Sequence, residues 1–490
     1  MTADLQIPPE ISHVTKKLQE KGFLAYIVGG CVRDIFINQR PKDWDITTNA
    51  TPEDIEGLFP KTFYENKFGT VTVVNEETDD LTLKNVEVTP FRRETTYSDH
   101  RHPDAVFFSK TLAEDLSRRD FTVNALAYDP KTGELVDLYG GIKDIKDKVI
   151  KTVGKPEERF EEDALRIMRA IRLSTQLGFK IEDQTKKAIA NKADTLNKIA
   201  KERIREEFNK LLMSDTPMVG LQMLHVTHLL GFISKELTDS IGVTQNGQHK
   251  YDVWEHLIRS LQHAADKNMS LELRLSALFH DIGKPPTRRW SKAKNNWTFY
   301  GHEVVGAKIT KKILTDLKYS KKTIEIVTTL VRYHMFFVDI DKITLSAVRR
   351  VVAGVGPELI WDLIKLRTCD RIGMGRPKEE PYRLRKYEAM IEEAMRAPTS
   401  VTMLKINGGD LIKDLDLKPG PKIGLILHAL LEEVLEDPLK NELEYLKEKG
   451  RELATLEDAD LKKLADQGKS KKDLVENEEL KKIRRKHGVK

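Results

Sequence analysis

Ile27-Val28-Gly29-Gly30-Cys31-Val32-Arg33-Asp34, followed by Lys42-Asp43-Trp44-Asp45-Ile46, is the stretch on which the reading of the whole chain turns. Phe23 to Val28 is a short apolar run, rich in aromatic and branched residues, that stops at two glycines; it predicts a buried strand. A helix is expected to start just beyond it. Without a Cβ on either residue, Gly29-Gly30 lets the main chain turn sharply and bares N–H groups, which makes a cradle for a triphosphate. Asp43 and Asp45 are two apart in what reads as the next strand, so both carboxylates project from one face. Two divalent ions gripped there, about 3.5–4 Å apart, would clamp the attacking and leaving oxygens of an in-line phosphoryl displacement. Gly-Gly or Asp-X-Asp alone is commonplace on turns and solvated loops. Gly-Gly after a strand, Arg33-Asp34 next, and Asp-X-Asp on the following strand form an ordered set that chance supplies far less readily.

Outward from this stretch, the composition sets limits. A chain of 490 residues, 39% apolar and 32% charged, has room for several domains with real cores. Lysine and arginine exceed aspartate and glutamate by 82 to 77, a net +5 that permits a nucleic-acid partner. The two cysteines, Cys31 and Cys369, lie far apart in no metal-type spacing, which argues against a disulfide framework and fits a reducing cytoplasm. No leader pattern and no bilayer-length apolar run are present, so a soluble, cytoplasmic protein without a membrane partner is expected.

In chain order, Ile11 to Gly22 reads as an amphipathic helix, and Thr51-Pro52 as the N-cap and first turn of another running to about Phe59. Phe68–Val74 and Leu83–Thr89 alternate as strands, the second carrying Glu87. Phe91 to Phe108, with Arg92, Glu94 and Arg101, is polar and aperiodic and reads as a mobile loop. From Pro156 to about Leu212 the pattern is helical. Within it, Arg166, Arg169 and Arg172 recur every third residue along one stripe, and Asp163 stands one turn before Arg166 on the same side. Beyond Thr216 come His256, His280-Asp281, His302, His334 and Asp370, mostly in helical-looking segments; neutral imidazoles and carboxylates are ligands for divalent transition metals.

The Gly-Gly and Asp-X-Asp stretch resembles the head of the class II tRNA nucleotidyltransferase and poly(A) polymerase family, whose fold is the DNA polymerase beta palm. Arg118-Arg119-Asp120-Phe121-Thr122-Val123-Asn124 resembles that family's next motif, and Glu162-Asp163-Ala164-Leu165-Arg166 its Glu-Asp-X-X-Arg motif. The histidines and Asp370 follow the order of an HD metal-dependent phosphohydrolase domain. The resemblance implies an α/β nucleotidyltransferase palm followed by mostly α-helical neck, HD and tail domains. The expected division is palm 1–150, neck 151–215, helical body with the HD site 216–375, and a tRNA-binding tail 376–490.

The function implied by this resemblance is that of a tRNA nucleotidyltransferase, adding CCA to the tRNA 3′ end from CTP and ATP without a nucleic-acid template. Asp43 and Asp45 would be catalytic and hold Mg²⁺, with Glu87 or Asp120 as a third carboxylate. Gly29, Gly30, Arg33, Arg119, Asp120, Asn124, Asp163, Arg166, Arg169 and Arg172 would bind the nucleotide. Asp163 and Arg166 would read its base. Arg92, Glu94 and Arg101 would belong to the flexible loop that helps the site pass from adding C to adding A. His256, His280, Asp281, His302, His334 and Asp370 would hold one or two divalent transition ions. Three other readings use the same motifs: a poly(A) polymerase, an enzyme that adds only CC or only A, and an HD phosphohydrolase with an RNA-binding palm.

Overall fold

The computed structural model describes residues 5–65, 69–94, 106–245, 250–336, 343–396, 401–415 and 417–489. The chain divides into two compact units, one of residues 1–332 and 365–377, the other of 333–364 and 378–490.

The first unit opens with helix Pro9–Glu20, whose Ile11, Val14 and Leu18 are buried, packed on a mixed seven-stranded sheet. The strands are β1 (Ala25–Val28), β2 (Trp44–Thr48), β3 (Thr62–Glu65), β4 (Thr70–Val74), β5 (Asn85–Pro90), then, after a separate two-stranded ribbon β6 (Arg92–Glu94) and β7 (Val106–Phe108), β8 (Leu126–Asp129) and β9 (Glu134–Asp137). Their order in the sheet is β3-β4-β5-β2-β1-β8-β9. The β2–β5 pair is parallel and the others are antiparallel. Two registers set up the site: Val28 lies opposite Asp45, and Asp45 lies beside Glu87.

Local chemistry explains the boundaries. Thr51 caps helix Pro52–Leu58 in a reciprocal capping box with Asp54, as the Thr-Pro pair predicts. The expected strand over Leu83–Thr89 starts two residues late, because Asp80 caps the short helix Leu81–Lys84 through the Thr82 N–H. The expected loop Phe91–Phe108 has paired ends: Arg92 lies opposite Phe108 and Glu94 opposite Val106. β-branched and aromatic residues at 106–108 favour that pairing. Arg101 lies outside the described residues.

Beyond the sheet the first unit is mostly helical, with a short parallel pair, Val149–Ile150 beside Lys180–Ile181, and a two-stranded hairpin, Arg289–Ser291 against Asn296–Thr298. Helices Leu165–Leu177 and Lys201–Leu212 pack through Ile167, Ile171, Ile204, Phe208 and Leu211, all fully buried. Helices Val253–Asp266, Leu271–Phe279 and His302–Asp316 come next. The second unit is wholly helical among its described residues. Leu411, Ile426, Leu430, Leu446 and Leu461 form its core, and its last helix, Asp458–Lys486, ends where His487 meets Glu392 at 2.8 Å. Among the described residues no helix is long and apolar enough to cross a membrane.

Candidate active site and metal centre

Gly29 sits at the end of β1 with φ +88°, a backbone state that side-chain-bearing residues rarely adopt. A Cβ there would lie 3.1 Å from Arg119 Nη1 and 3.4 Å from Asp45 Oδ2. The bare glycine therefore leaves room for a cation, a carboxylate and main chain to converge at one point. Arg33, one turn into helix Gly30–Phe36, donates to Asn124 Oδ1 at 2.5 Å and to Asp34 Oδ1 at 2.6 Å.

Two further carboxylates lie close enough to act on Asp45. Asp45 is on β2, Asp43 is exposed one residue before the strand begins, and Glu87 is Asp45's neighbour across the parallel pair. Burial pushes the Asp45 carboxyl up to about 7; Arg119 pulls it down, while Glu87 and Asp43 push it further up. A partly buried carboxylate beside two others is a group whose charge a bound cation would stabilise. The donor set, all carboxylate oxygens, suits Mg²⁺.

Asp120, the other candidate for a third carboxylate, is committed elsewhere. Its Oδ2 accepts from Arg169 Nε and Nη2 at 2.8 and 2.5 Å, and its Oδ1 accepts from the Phe121 N–H at 2.8 Å and from Asn124 Nδ2 at 3.3 Å. Burial works against its charge, yet Arg169 and the hydrogen bonds hold it at about 2. Asp120 thus anchors Arg169 and Asn124. Arg119 itself is gripped by buried Asp115 at 3.1 Å.

The arginine stripe exists as expected, since Arg166, Arg169 and Arg172 all lie on helix Leu165–Leu177. Asp163 does not continue it. Helix Pro156–Glu162 stops at Asp163, whose backbone is extended, and the Asp163 carboxylate turns to cap the next helix through the Leu165 N–H at 3.0 Å. That is the ordinary preference of aspartate for a helix start over a helix interior. Asp163 is then held by Arg203 at 2.9 and 3.3 Å. Arg166 reaches Glu162 at 2.6 Å and the Arg118 carbonyl at 3.2 Å, and Arg172 reaches Glu207 at 2.6 Å. Glu162, Arg203 and Glu207 thus brace the segment, Arg203 and Glu207 from the helix that the motif Glu202 to Phe208 predicts as a buttress, although the sequence does not show which partner each one takes. The one signal was Arg203 and Glu207, four apart on one face of helix Lys201–Leu212.

A second cluster lies among the later helices. His256 comes from helix Val253–Asp266, His280 and Asp281 from the end of helix Leu271–Phe279, His302 from the first position of its helix, and Asp370 from helix Ile360–Gly373. All five are buried. The two imidazole Nε2 atoms of His256 and His280 are 2.9 Å apart. Asp281 Oδ2 lies 3.1 Å from the first and 3.4 Å from the second, and Asp281 Oδ1 lies 3.2 Å from His302 Nε2. His280 Nδ1 faces the Ala277 carbonyl at 2.9 Å and His302 Nδ1 the Phe299 carbonyl at 2.7 Å. Those contacts fix the rings with Nδ1–H donating and Nε2 presented as a ligand. Asp370 Oδ1 lies 3.3 Å from His256 Nε2 without a well-formed hydrogen bond. Burial disfavours charge on His280, but Asp281 and then Asp370 lift it to about 10. Two nitrogens and two oxygens converging in a dry site fit a divalent transition ion. His334 belongs to the second unit, where it is buried.

Comparison with known proteins separates the readings. Residues 25–151 match the poly A polymerase head domain, 178–241 a probable RNA- and SrmB-binding site of polymerase A, and 253–388 the HD domain. The CCA-adding enzyme of Ligilactobacillus salivarius is 33% identical over 446 residues, 90% of this chain and 95% of that protein. That of Leuconostoc citreum is 34% identical over 456 residues, covering 91% and 96%. The chain belongs to the CCA-adding enzyme family. A crystal structure of the Bacillus stearothermophilus CCA-adding enzyme in complex with CTP is 27% identical, with a TM-score of 0.60 over 91% of this chain and 99% of that one. As a CCA-adding enzyme the chain is a nucleotidyltransferase with an HD domain, and the expected palm with a helical continuation is its fold.

Proposed function

We propose that this chain adds C, C and A to the 3′ end of tRNA from CTP and ATP, with Asp43, Asp45 and Glu87 holding two Mg²⁺ ions. The observation that carries the reading is the placing of Asp45 beside Gly29 and Arg119, with Glu87 and Asp43 close enough to raise its carboxyl. When bound, the ions would neutralise charge on the attacking and leaving oxygens. The chain's own residues do the rest: the bare backbone at Gly29-Gly30 and the guanidinium of Arg119 receive the triphosphate, and Arg33 and Asn124, tied to each other, are placed for sugar and phosphate. Asp120 positions Arg169 and Asn124 rather than meeting a metal. Catalysis of this kind is positioning plus charge neutralisation.

A carboxyl that burial pushes up to about 7 binds a cation in competition with a proton. Below pH 7 Asp45 is mostly protonated and ion entry must release that proton; above pH 7 the competition vanishes. The Mg²⁺ concentration for half-maximal addition should therefore fall by about tenfold per pH unit up to roughly 7 and level off beyond it. Mg²⁺ titrations of initial rate between pH 5.5 and 8.5 check this, and a requirement independent of pH would remove the three-carboxylate site.

The functional division proposed is palm 1–150, neck 151–215, HD-bearing body 216–375 and tRNA-binding tail 376–490, in a cytoplasmic protein. Arg92, Glu94 and Arg101 are proposed to act in the loop that follows β5. For the HD cluster we propose a divalent transition ion on His256, His280, Asp281 and Asp370, with His302 completing the set for a phosphohydrolase. Purified protein should carry such an ion, or hydrolyse phosphate esters when supplied with one. The double substitution His280→Ala and Asp281→Ala should abolish both and leave CCA addition within about twofold. Elemental analysis alongside both assays decides it, and absence of ion and hydrolysis across several metals would make the cluster structural.

A further inference from the structure

Between Asp281 and His302 the chain leaves the helices and makes a small antiparallel hairpin, Arg289–Ser291 against Asn296–Thr298. Both of its roots belong to the His-Asp cluster. Before it, Lys284 Nζ lies 2.5 Å from Asp281 Oδ2. After it, the Phe299 carbonyl accepts from His302, and the Phe299 ring lies 5.8 Å from Lys284 Nζ.

The segment's composition is one-sided. Residues 284–300 contain five lysines and arginines, no aspartate or glutamate, and the aromatics Trp290, Trp297, Phe299 and Tyr300. Trp290 and Trp297 meet edge to face at 5.3 Å, and the Arg288 guanidinium covers Trp297 at 3.9 Å. Trp290 is nevertheless 50% exposed and Tyr300 73% exposed. Tyr300 takes a hydrogen bond from Lys294 at 2.7 Å, whereas half of the Trp290 indole stays in water, where it contributes no burial to the fold. Aromatic faces interleaved with cations and free of anions are what an unpaired nucleic-acid strand requires: bases stack on the rings while phosphates meet the ammonium and guanidinium groups. An acidic protein segment would use the cations and leave the rings without a purpose.

We propose that the hairpin is a contact surface for unpaired RNA, with Trp290 as its stacking residue and Arg289, Lys292 and Lys294 as its phosphate contacts. The surface is separate from the palm, and its roots bring the bound strand's phosphates toward Lys284 and the buried cluster. The proposal does not depend on that cluster being an active phosphohydrolase.

The test uses full-length protein and a short single-stranded oligoribonucleotide carrying 4-thiouridine, with inorganic polyphosphate as the base-free probe. Photocrosslinks should map to peptide 284–300 in addition to any at the palm. Trp290→Ala should weaken oligonucleotide binding by about tenfold, Trp290→Phe should restore most of it, and polyphosphate binding should be the same in all three proteins. Arg289→Gln with Lys292→Gln should weaken both probes and flatten the salt dependence. Because Trp290 is half exposed, its replacement leaves the core intact, and unchanged CCA addition serves as the folding control. The proposal is overturned if Trp290→Ala binds the oligonucleotide as wild type does. It is equally overturned if Trp290→Ala loses affinity for both probes alike, or if no crosslink falls within 284–300.

Discussion

Asp45→Ala should lower the rate of nucleotide addition by about a thousandfold or more while changing tRNA affinity by no more than about twofold. Asp45 is the central member of the carboxylate group: it pairs in register with Val28 at the Gly-Gly turn and with Glu87 on the neighbouring strand. Losing it removes the shared ligand that both ions would need. Asp43→Ala should come close to the same loss. Glu87→Ala should cost less, since two carboxylates remain, and Asp120→Ala should act differently again by releasing Arg169 and Asn124. If RNA is held chiefly through basic groups away from these strands, binding should survive. Single-turnover addition with filter binding on the same proteins separates the two quantities. Addition by Asp45→Ala at a rate near wild type in Mg²⁺ would remove the palm from the chemistry.

The second large effect is expected in base choice. C and A both present an exocyclic amine beside a ring-nitrogen acceptor, whereas U and G present a carbonyl beside a ring N–H. A carboxylate accepts from the amine and a guanidinium donates to the ring nitrogen, so in the base-reading role proposed for them Asp163 and Arg166 would take C or A and refuse U or G. Each mismatched buried group costs about 1–3 kcal/mol, so two mismatches approach a thousandfold discrimination. The structure shows how the pair is held in place: Arg203 and the Leu165 N–H fix Asp163, while Glu162 and the Arg118 carbonyl fix Arg166. Asp163→Ala or Arg166→Ala should raise UTP and GTP use relative to CTP and ATP by about thirtyfold, with the metal site still competent. Arg203→Ala should produce a weaker version of the same loss, because it leaves the carboxylate present but unanchored. Incorporation of all four nucleotides in a single turnover checks this. A uniform fall with selectivity unchanged would reduce Asp163 and Arg166 to a salt-bridged neck.

Much of this arrangement is legible in the sequence, for identifiable reasons. Gly29 and Asp45 can be found because strand, turn and strand each leave a local signature and because the chemistry needs those residue types in that order. His280-Asp281 is legible for the same reason. Choices made by tertiary packing are not. Asp163 looks like a helix-stripe residue, yet its short carboxylate serves better as a cap, and the helix breaks there. Glu87 and Asp120 are equal candidates for a third carboxylate until sheet register puts one beside Asp45 and Arg169 takes the other. Arg203 and Glu207 are distant in sequence from their partners Asp163 and Arg172, and no local pattern connects them. The paired ends of segment 91–108 are hidden because three-residue strands leave too little alternation to detect.

The measurement that bears most directly on the central claim is product sequencing. Purified protein is incubated in Mg²⁺ with tRNA lacking its last three nucleotides, with CTP alone, ATP alone and both together, and each product 3′ end is read. If palm and neck have the roles proposed for them, the single polypeptide should yield CC with CTP, almost no extension with ATP alone, and a homogeneous CCA end with both. Long runs of A, an end that stops at CC when both nucleotides are present, or no extension at all would contradict it.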